Sequence, residues 1–71
     1  MTMRSLPTEP GRFFWDEWNR EVDVTRRGNS LYVRVYSHWQ PVKISPRIAG
    51  NFYKVNEDGK RSFEGTTRAG H

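Results

Sequence analysis

Polar and apolar residues alternate strictly in two neighbouring stretches of the chain. These are "EVDVT", residues 21–25, and "LYVRVY", residues 31–36. A period of two is typical of strands that bury one face and expose the other. The intervening "RRGNS" contains Gly28 and Asn29, which accept a positive φ more readily than most residues do. The pattern therefore predicts a β-hairpin over residues 21–36.

The aromatic stretch "RFFWDEWNREV", residues 12–22, supports two interpretations. As a strand, it places Phe13 and Trp15 on the same face. As a helix, it places Phe14 and Trp18 one turn apart on the same side. We favour the strand, because "PG" is a poor helix start and "NR" suits a turn into "EVDV".

Weaker patterns complete the predicted fold. "SPRIAG" is compatible with one helical turn, since Ser caps helices and Pro is accepted at the first helical position. The lead 1–11 contains two prolines and is predicted to be irregular, and the polar tail 65–71 is predicted to be loose. We expect one small domain spanning residues 1–71 that is mainly β. Its architecture would be a twisted antiparallel meander or a partly open barrel, with at most one short helical turn. The predicted strands are 12–18, 21–26, 31–37, 42–44, 51–55 and 60–64.

Length and composition limit how this domain is stabilised. A chain of 71 residues forms at most one domain and buries only about 60% of its unfolded surface. The chain has no cysteine, and His38 and His71 lack a paired ligand motif, so we expect neither disulfides nor a metal or other cofactor. The three Trp, three Tyr and four Phe must supply the core, but a core this small does not enclose ten rings. Some rings are therefore expected at the surface.

Charge is distributed unevenly along the chain. Residues 1–24 hold three arginines and five acids, a net charge of −2. Residues 25–71 hold nine basic residues and three acids, a net charge of +6. A basic segment of this length favours an anionic partner, either a nucleic acid or an acidic protein surface.

The sequence argues against catalysis. It contains no phosphate-cradling glycine motif. Ser37 and His38 are neighbours, which a strand would point to opposite faces, and the same geometry separates Asp16 from Glu17. We therefore expect no enzymatic activity and no small-molecule substrate. Because we find neither a long apolar run nor an apolar leader, we also expect a cytoplasmic monomer that does not contact membranes.

The contact residues expected from the sequence are aromatic and basic. Tyr32, Arg34 and Tyr36 alternate with the valines of their strand, which makes an aromatic–basic–aromatic row suited to base stacking and phosphate neutralisation. The alternative is that the two tyrosines pack against the rings of residues 12–18. Tyr53 alternates with Phe52, so one of these two rings should be core and the other outward. Trp39, in the predicted loop "SHWQP", is the expected exposed Trp. The full set of predicted partner-binding residues is Arg26, Arg27, Tyr32, Arg34, Tyr36, Trp39, Lys43, Arg47, Tyr53 and Lys54.

Two short motifs carry a resemblance to a known class of proteins. "PGRFFW", then the hairpin, then "QPV…SPRI" resembles short proteins encoded by bacteriophages and prophages, over residues 10–48. Some proteins of that class bind and redirect host polymerases, nucleases or recombinases. The resemblance thus implies a non-catalytic accessory protein that modulates a host macromolecular complex inside the host cell. It assigns no functional residue, and residues 49–71 depart from it. The alternative function is a nucleic-acid-binding protein that uses the aromatic and arginine side chains of a sheet face.

Overall fold

The protein folds as a six-stranded antiparallel β-sheet. The structure is a computed structural model and describes residues 4–34 and 40–69. The strands run in the order β4-β3-β2-β1-β5-β6, so β4 and β6 are the two edges and the sheet is open. The bounds are β1 Gly11–Trp15, β2 Arg20–Arg27, β3 Ser30–Arg34, β4 Val42–Lys43, β5 Phe52–Val55 and β6 Arg61–Ser62. The prediction of a small, mainly β, antiparallel fold is confirmed.

One face of the sheet carries the hydrophobic core. Alternation along β1 sends Phe13 and Trp15 to this core face, and the valines of β2 and β3 join them. Burial of one such side chain contributes about 1.5–3 kcal/mol, so these few residues supply most of the hydrophobic stabilisation. The buried core cluster consists of Phe13, Trp15, Val22, Val24, Val33, Ile48 and Phe52.

The connection between β4 and β5 covers the core face. A simple meander would place β5 beside β4, but β5 instead pairs with β1, so residues 44–51 must cross the sheet. Ile48 belongs to the core cluster and Ile44 packs against it, so this crossing segment supplies the second layer of the core. The Trp15 indole Nε1–H donates to the Ala49 carbonyl at 2.8 Å. The Arg4 guanidinium donates to the carbonyls of Pro46, Ile48 and Gly50, which fixes the segment from its other side.

The first strand is shorter than the sequence suggested. β1 ends at Trp15, and residues 16–19 form a turn in which Asn19 has a φ of 51°. The predicted strand 12–18 is thus correct in type but wrong at its end, because the Asp16 side chain is engaged elsewhere. Its Oδ1 accepts the Asn51 N–H at 2.7 Å. Trp18 consequently lies in the turn and is 48% exposed.

The hairpin formed by β2 and β3 matches the alternating pattern that predicted it. Its loop is the two residues Gly28 and Asn29, and Gly28 has a φ of 62°. A positive φ at the first loop residue alone is the pattern of a type II′ turn, whose twist matches that of the strands. Asn29 therefore does not need the positive φ that the sequence allowed.

Two turns beyond β3 are organised by local hydrogen bonds. No helical turn forms at "SPRIAG": residues 45–48 make a single turn in which the Ile48 N–H donates to the Ser45 carbonyl at 3.1 Å. The turn between β5 and β6 is organised by Asn56, and Gly59 takes a φ of 79° in it. The Asn56 Oδ1 accepts the N–H groups of Asp58 and Lys60, both at 2.9 Å.

The polar tail is docked rather than loose over its described part. Pro7 and Thr66 form an antiparallel bridge, and the Thr67 N–H donates to the Leu6 carbonyl at 2.8 Å. Thr66 is 4% exposed. The lead is irregular as predicted, but it is also fixed, because the Phe52 N–H donates to the Ser5 carbonyl at 2.8 Å. The lead and the tail thus stabilise each other at the β5–β6 edge, a long-range contact that local sequence does not encode.

Candidate nucleic-acid interface

The second face of the sheet, opposite the core cluster, carries polar, charged and aromatic side chains. Directly opposed residues of an antiparallel pair point to the same face, so the strand register assigns each side chain. We call this the solvent face. From β4 to β5, its strand residues are Lys43, Ser30, Tyr32, Arg34, Arg27, Thr25, Asp23, Glu21, Arg12, Phe14, Tyr53 and Val55.

Four of the predicted contact residues form one group on the solvent face, which we call the Tyr32 patch: Arg27, Tyr32, Arg34 and Lys43. Tyr32 lies opposite Lys43 in β4, and Arg34 follows two positions along the same strand. The Arg27 Cζ lies 6.0 Å from the centroid of the half-buried Tyr32 ring. The three cations are exposed, and within residues 4–34 and 40–69 none of them forms an ion pair. The patch is therefore a half-exposed ring surrounded by uncompensated positive charge.

Two acidic side chains lie beside this patch, and both pair with Arg12 rather than with a cation of the patch, which leaves a net charge of −1 on the three. Arg12 is 3.6 Å from the Glu21 carboxylate and 3.7 Å from the Asp23 carboxylate. Arg34 is directly opposite Asp23 in the β2–β3 register, yet the ion pair of Asp23 is with Arg12. A cleft of about 230 Å³ opens here, lined by Arg12, Glu21, Val22, Asp23 and Arg34. Arg34 therefore remains available at the rim of a cleft large enough for a planar group.

The local packing alternative for Tyr32 is wrong within the described residues. Its cross-strand neighbours are Thr25 and Lys43, not the rings of β1. The pairing of Phe52 with Tyr53 follows the prediction, since Phe52 is fully buried and Tyr53 is half-buried on the solvent face. The Tyr53 ring is partly used in packing, with its centroid 6.5 Å from that of Phe14.

Three predicted contact residues lie away from the Tyr32 patch. Arg26 is opposite Leu31, which assigns it to the core-face side of β2. The Lys54 ammonium is 3.3 Å from the Glu9 carboxylate and 5.2 Å from the centroid of the Phe13 ring, so it is occupied on the core face. Arg47 is exposed in the turn of residues 45–48, on the crossing segment. The structure does not bring these three together with the patch, because strand alternation and the β4–β5 crossing separate them.

Two further predictions, Tyr36 and Trp39, lie outside the described residues. Among those described, the exposed Trp is Trp18, whose ring centroid is 6.1 Å from that of Trp15. The sequence did indicate that at least one Trp would remain exposed, and it favoured Trp39 because that residue lies in the predicted loop "SHWQP".

A second group on the solvent face includes the predicted contact residue Tyr53, but the sequence did not predict its association with the other members. We call it the Arg61 cluster, and its members are Phe14, Tyr53, Arg61, Phe63 and Arg68. The Arg61 Cζ lies 3.7 Å from the Phe14 centroid, and the Arg68 Cζ lies 4.9 Å from the Phe63 centroid. The Tyr53 and Phe63 centroids are 5.5 Å apart. The signal available in the sequence was the β5–β6 hairpin, whose turn at Asp58-Gly59 sets Arg61 opposite Val55.

Two further features of the described residues concern metal binding and membranes. Over this part of the chain, no group of three or more His, Asp or Glu side chains is placed to hold a metal ion. No helix long and apolar enough to span a membrane occurs in it either.

Comparison with protein-family models, with curated protein sequences and with solved structures finds no match to this chain.

Proposed function

We propose that this protein binds single-stranded nucleic acid on the solvent face of its sheet, through the Tyr32 patch. The observation that carries the proposal is the placement of Arg27, Arg34 and Lys43 around the Tyr32 ring on one open face, without carboxylate partners among the described residues. An aromatic ring on a sheet offers a stacking surface that every base can use, and the cations track the phosphates. Stacking of one base contributes roughly 1–3 kcal/mol.

A single strand fits this surface better than a duplex does. The bases of a duplex are stacked on each other and are not available to a ring that lies on a sheet. The Tyr32 ring is half-buried in the sheet face, so a base must come to it already unpaired. A duplex would meet only the cations and would bind through its phosphates alone.

The test is fluorescence anisotropy with a labelled single-stranded 12-mer of mixed sequence, at 50 and 200 mM salt. Release of counterions from three phosphates gives a log–log slope of about −2, so affinity should fall roughly 20-fold over this range. Tyr32→Ala should weaken binding by about 1–3 kcal/mol without changing the slope. Absence of binding at 50 mM salt would contradict the proposal.

Adjacent arginines of β2 provide the matched control. Arg27→Ala and Arg26→Ala remove the same charge from neighbouring positions whose side chains lie on opposite faces. Arg27→Ala should weaken binding and reduce the salt slope by about 0.7, the increment for one phosphate contact of a single strand. Arg26→Ala should do neither, and an equal effect of both would show that binding follows net charge rather than the Tyr32 patch.

A protein partner is a second candidate function, favoured by one specific observation. Trp18 is 48% exposed at the tip of the β1–β2 turn, where Asp16 and Glu17 are also exposed. Tryptophan is enriched among residues that dominate interface energetics, and the flanking acids suit a basic partner surface. This is the site through which an accessory protein of the phage type would engage a host complex. In a pull-down from nuclease-treated bacterial lysate, we expect a stoichiometric band that Trp18→Ala abolishes. A band that survives this substitution would assign the contact to another surface.

A further inference from the structure

The Arg61 cluster presents a stacked guanidinium to solvent. Arg61 is exposed, and its Cζ is 3.7 Å from the centroid of the Phe14 ring, which is only 8% exposed. A guanidinium at that distance contacts the ring, which restricts a side chain that otherwise carries high rotamer entropy. Because Arg61 is exposed, its guanidinium is also accessible to a ligand.

The donors of this guanidinium remain available. No carboxylate of residues 4–34 and 40–69 pairs with Arg61: Glu21 and Asp23 pair with Arg12, and Glu9 pairs with Lys54. An arginine stacked on an aromatic ring keeps its N–H groups in plane for phosphate oxygens, and its outer face can stack with a base. The contact with Phe14 thus leaves Arg61 able to bind phosphates and to stack with a base, as the residues of the Tyr32 patch can.

Neighbouring rings extend this surface along the edge of the sheet. The Tyr53 centroid lies 6.5 Å from that of Phe14 and 5.5 Å from that of Phe63, and Arg68 is placed over Phe63 at 4.9 Å. The contacts therefore form a row of three rings with a cation at each end. Such a row suits a ligand that carries planar bases on an anionic backbone.

We propose that the Arg61 cluster is a second nucleotide subsite, and that one single strand crosses the solvent face from the Tyr32 patch to Arg61. This proposal rests on the proposed function and extends it. β3 and β6 are four strand spacings apart in the order β3-β2-β1-β5-β6, which is about 19 Å at roughly 4.8 Å per spacing. A stacked strand rises about 3.4 Å per nucleotide, so about six nucleotides connect the two sites.

The charges between the two sites direct the path of the strand. The Glu21 and Asp23 carboxylates lie in the middle of the solvent face and are paired with Arg12. Phosphates are repelled there, so the strand meets its strongest phosphate contacts at the two ends and places bases over the central cleft. A fragment too short to reach both ends gains only one set of contacts.

The test is a length series of oligothymidylates, from the dimer to the decamer, titrated against the wild-type chain and four variants. Affinity of the wild type should rise steeply between about four and eight nucleotides and then level off. Arg61→Ala should lower affinity for the octamer by about 5- to 100-fold and leave the trimer unchanged, since the trimer occupies the Tyr32 patch. Arg61→Lys keeps the charge without the planar group, so it should keep the salt slope yet recover only part of the lost affinity. Tyr32→Ala should weaken every length, and Arg26→Ala is the control.

The outcomes separate the two proposals. If Tyr32→Ala weakens octamer binding while Arg61→Ala does not, the second subsite is wrong and the proposed function stands. If Arg61→Ala weakens trimer and octamer equally, the cluster is not a separate subsite. If no oligothymidylate binds at any length, both proposals fail. Because Arg61 covers Phe14, thermal unfolding of each variant is measured first. If Arg61→Ala is not folded, Arg61→Lys and Arg68→Ala carry the comparison, and an octamer affinity unchanged in both would overturn the proposal.

Discussion

Substitution of Gly50 tests how the crossing segment is held on the sheet. Gly50 has a φ of +85°, a conformation that side-chain-bearing residues rarely adopt. A Cβ at this position would lie 2.7 Å from the Glu17 Cβ, 2.8 Å from the Asp16 Oδ1 and 2.9 Å from the Trp15 Nε1. Each distance is below normal contact, so the β1–β2 turn must shift in Gly50→Ala.

The expected loss of stability has two parts. Backbone strain at a positive φ costs about 1 kcal/mol. Displacement of the turn weakens two hydrogen bonds, from the Trp15 Nε1–H to Ala49 at 2.8 Å and from the Asn51 N–H to the Asp16 Oδ1 at 2.7 Å. Each bond contributes about 1 kcal/mol, so the total loss is about 3 kcal/mol. A domain of this size has a free energy of unfolding of roughly 4–10 kcal/mol, so the effect is large.

Gly59 is the matched control for this experiment. Its φ is +79°, close to that of Gly50, but a Cβ built there meets no atom within 4 Å. Gly59→Ala should therefore cost only the strain, about 1 kcal/mol. Both variants are compared by urea denaturation followed through tryptophan fluorescence. A loss of stability that is equal in the two variants would refute the proposed packing of Gly50 against the turn.

Two further substitutions, one of them with a control, and one truncation test the rest of the fold. Phe52→Ala removes a fully buried ring stacked 5.1 Å from Trp15 and should lower the free energy of unfolding, measured by urea denaturation, by about 3–5 kcal/mol. Val42→Ala, at a side chain 47% exposed, should lower it by under about 0.5 kcal/mol. Similar losses in the two variants would mean that the core is misassigned. Arg4→Met removes the donors to the carbonyls of Pro46, Ile48 and Gly50 and should lower the free energy of unfolding by about 2–3 kcal/mol. Amide hydrogen exchange in this variant should be faster in residues 44–51 than in β2. Unchanged exchange in residues 44–51 would argue against the role of Arg4 in holding this segment. Truncation after Glu64 should lower the melting temperature by more than about 5 °C, because Thr66 and Thr67 pair with the lead through backbone contacts. An unchanged melting temperature would instead indicate a loose tail.

In the candidate site, the face of a strand residue could be predicted from the sequence, but its contacts with distant strands could not. Alternation along β3 correctly put Tyr32 and Arg34 on the face opposite Val33, and the register added Lys43 from the neighbouring strand. Alternation did not assign Arg26 and Arg27 to opposite faces, because both were expected in a turn rather than at the end of a strand. The position of Lys54 on the core face could not be predicted, because its contacts with Glu9 and Phe13 depend on how β5 meets β1.

The amino-acid sequence by itself determined the parts of this protein that depend on neighbours along the chain. These are the β2–β3 hairpin, the division of each strand into a buried and a wet face, and the uneven charge. The tertiary structure alone decided that β5 pairs with β1 and that residues 44–51 cross the core face. It also decided that Arg61 stacks on Phe14, 47 positions away in sequence. The physical reason is that a period of two reports which face a side chain takes, whereas the pairing of distant strands depends on the sum of many contacts that no local pattern records.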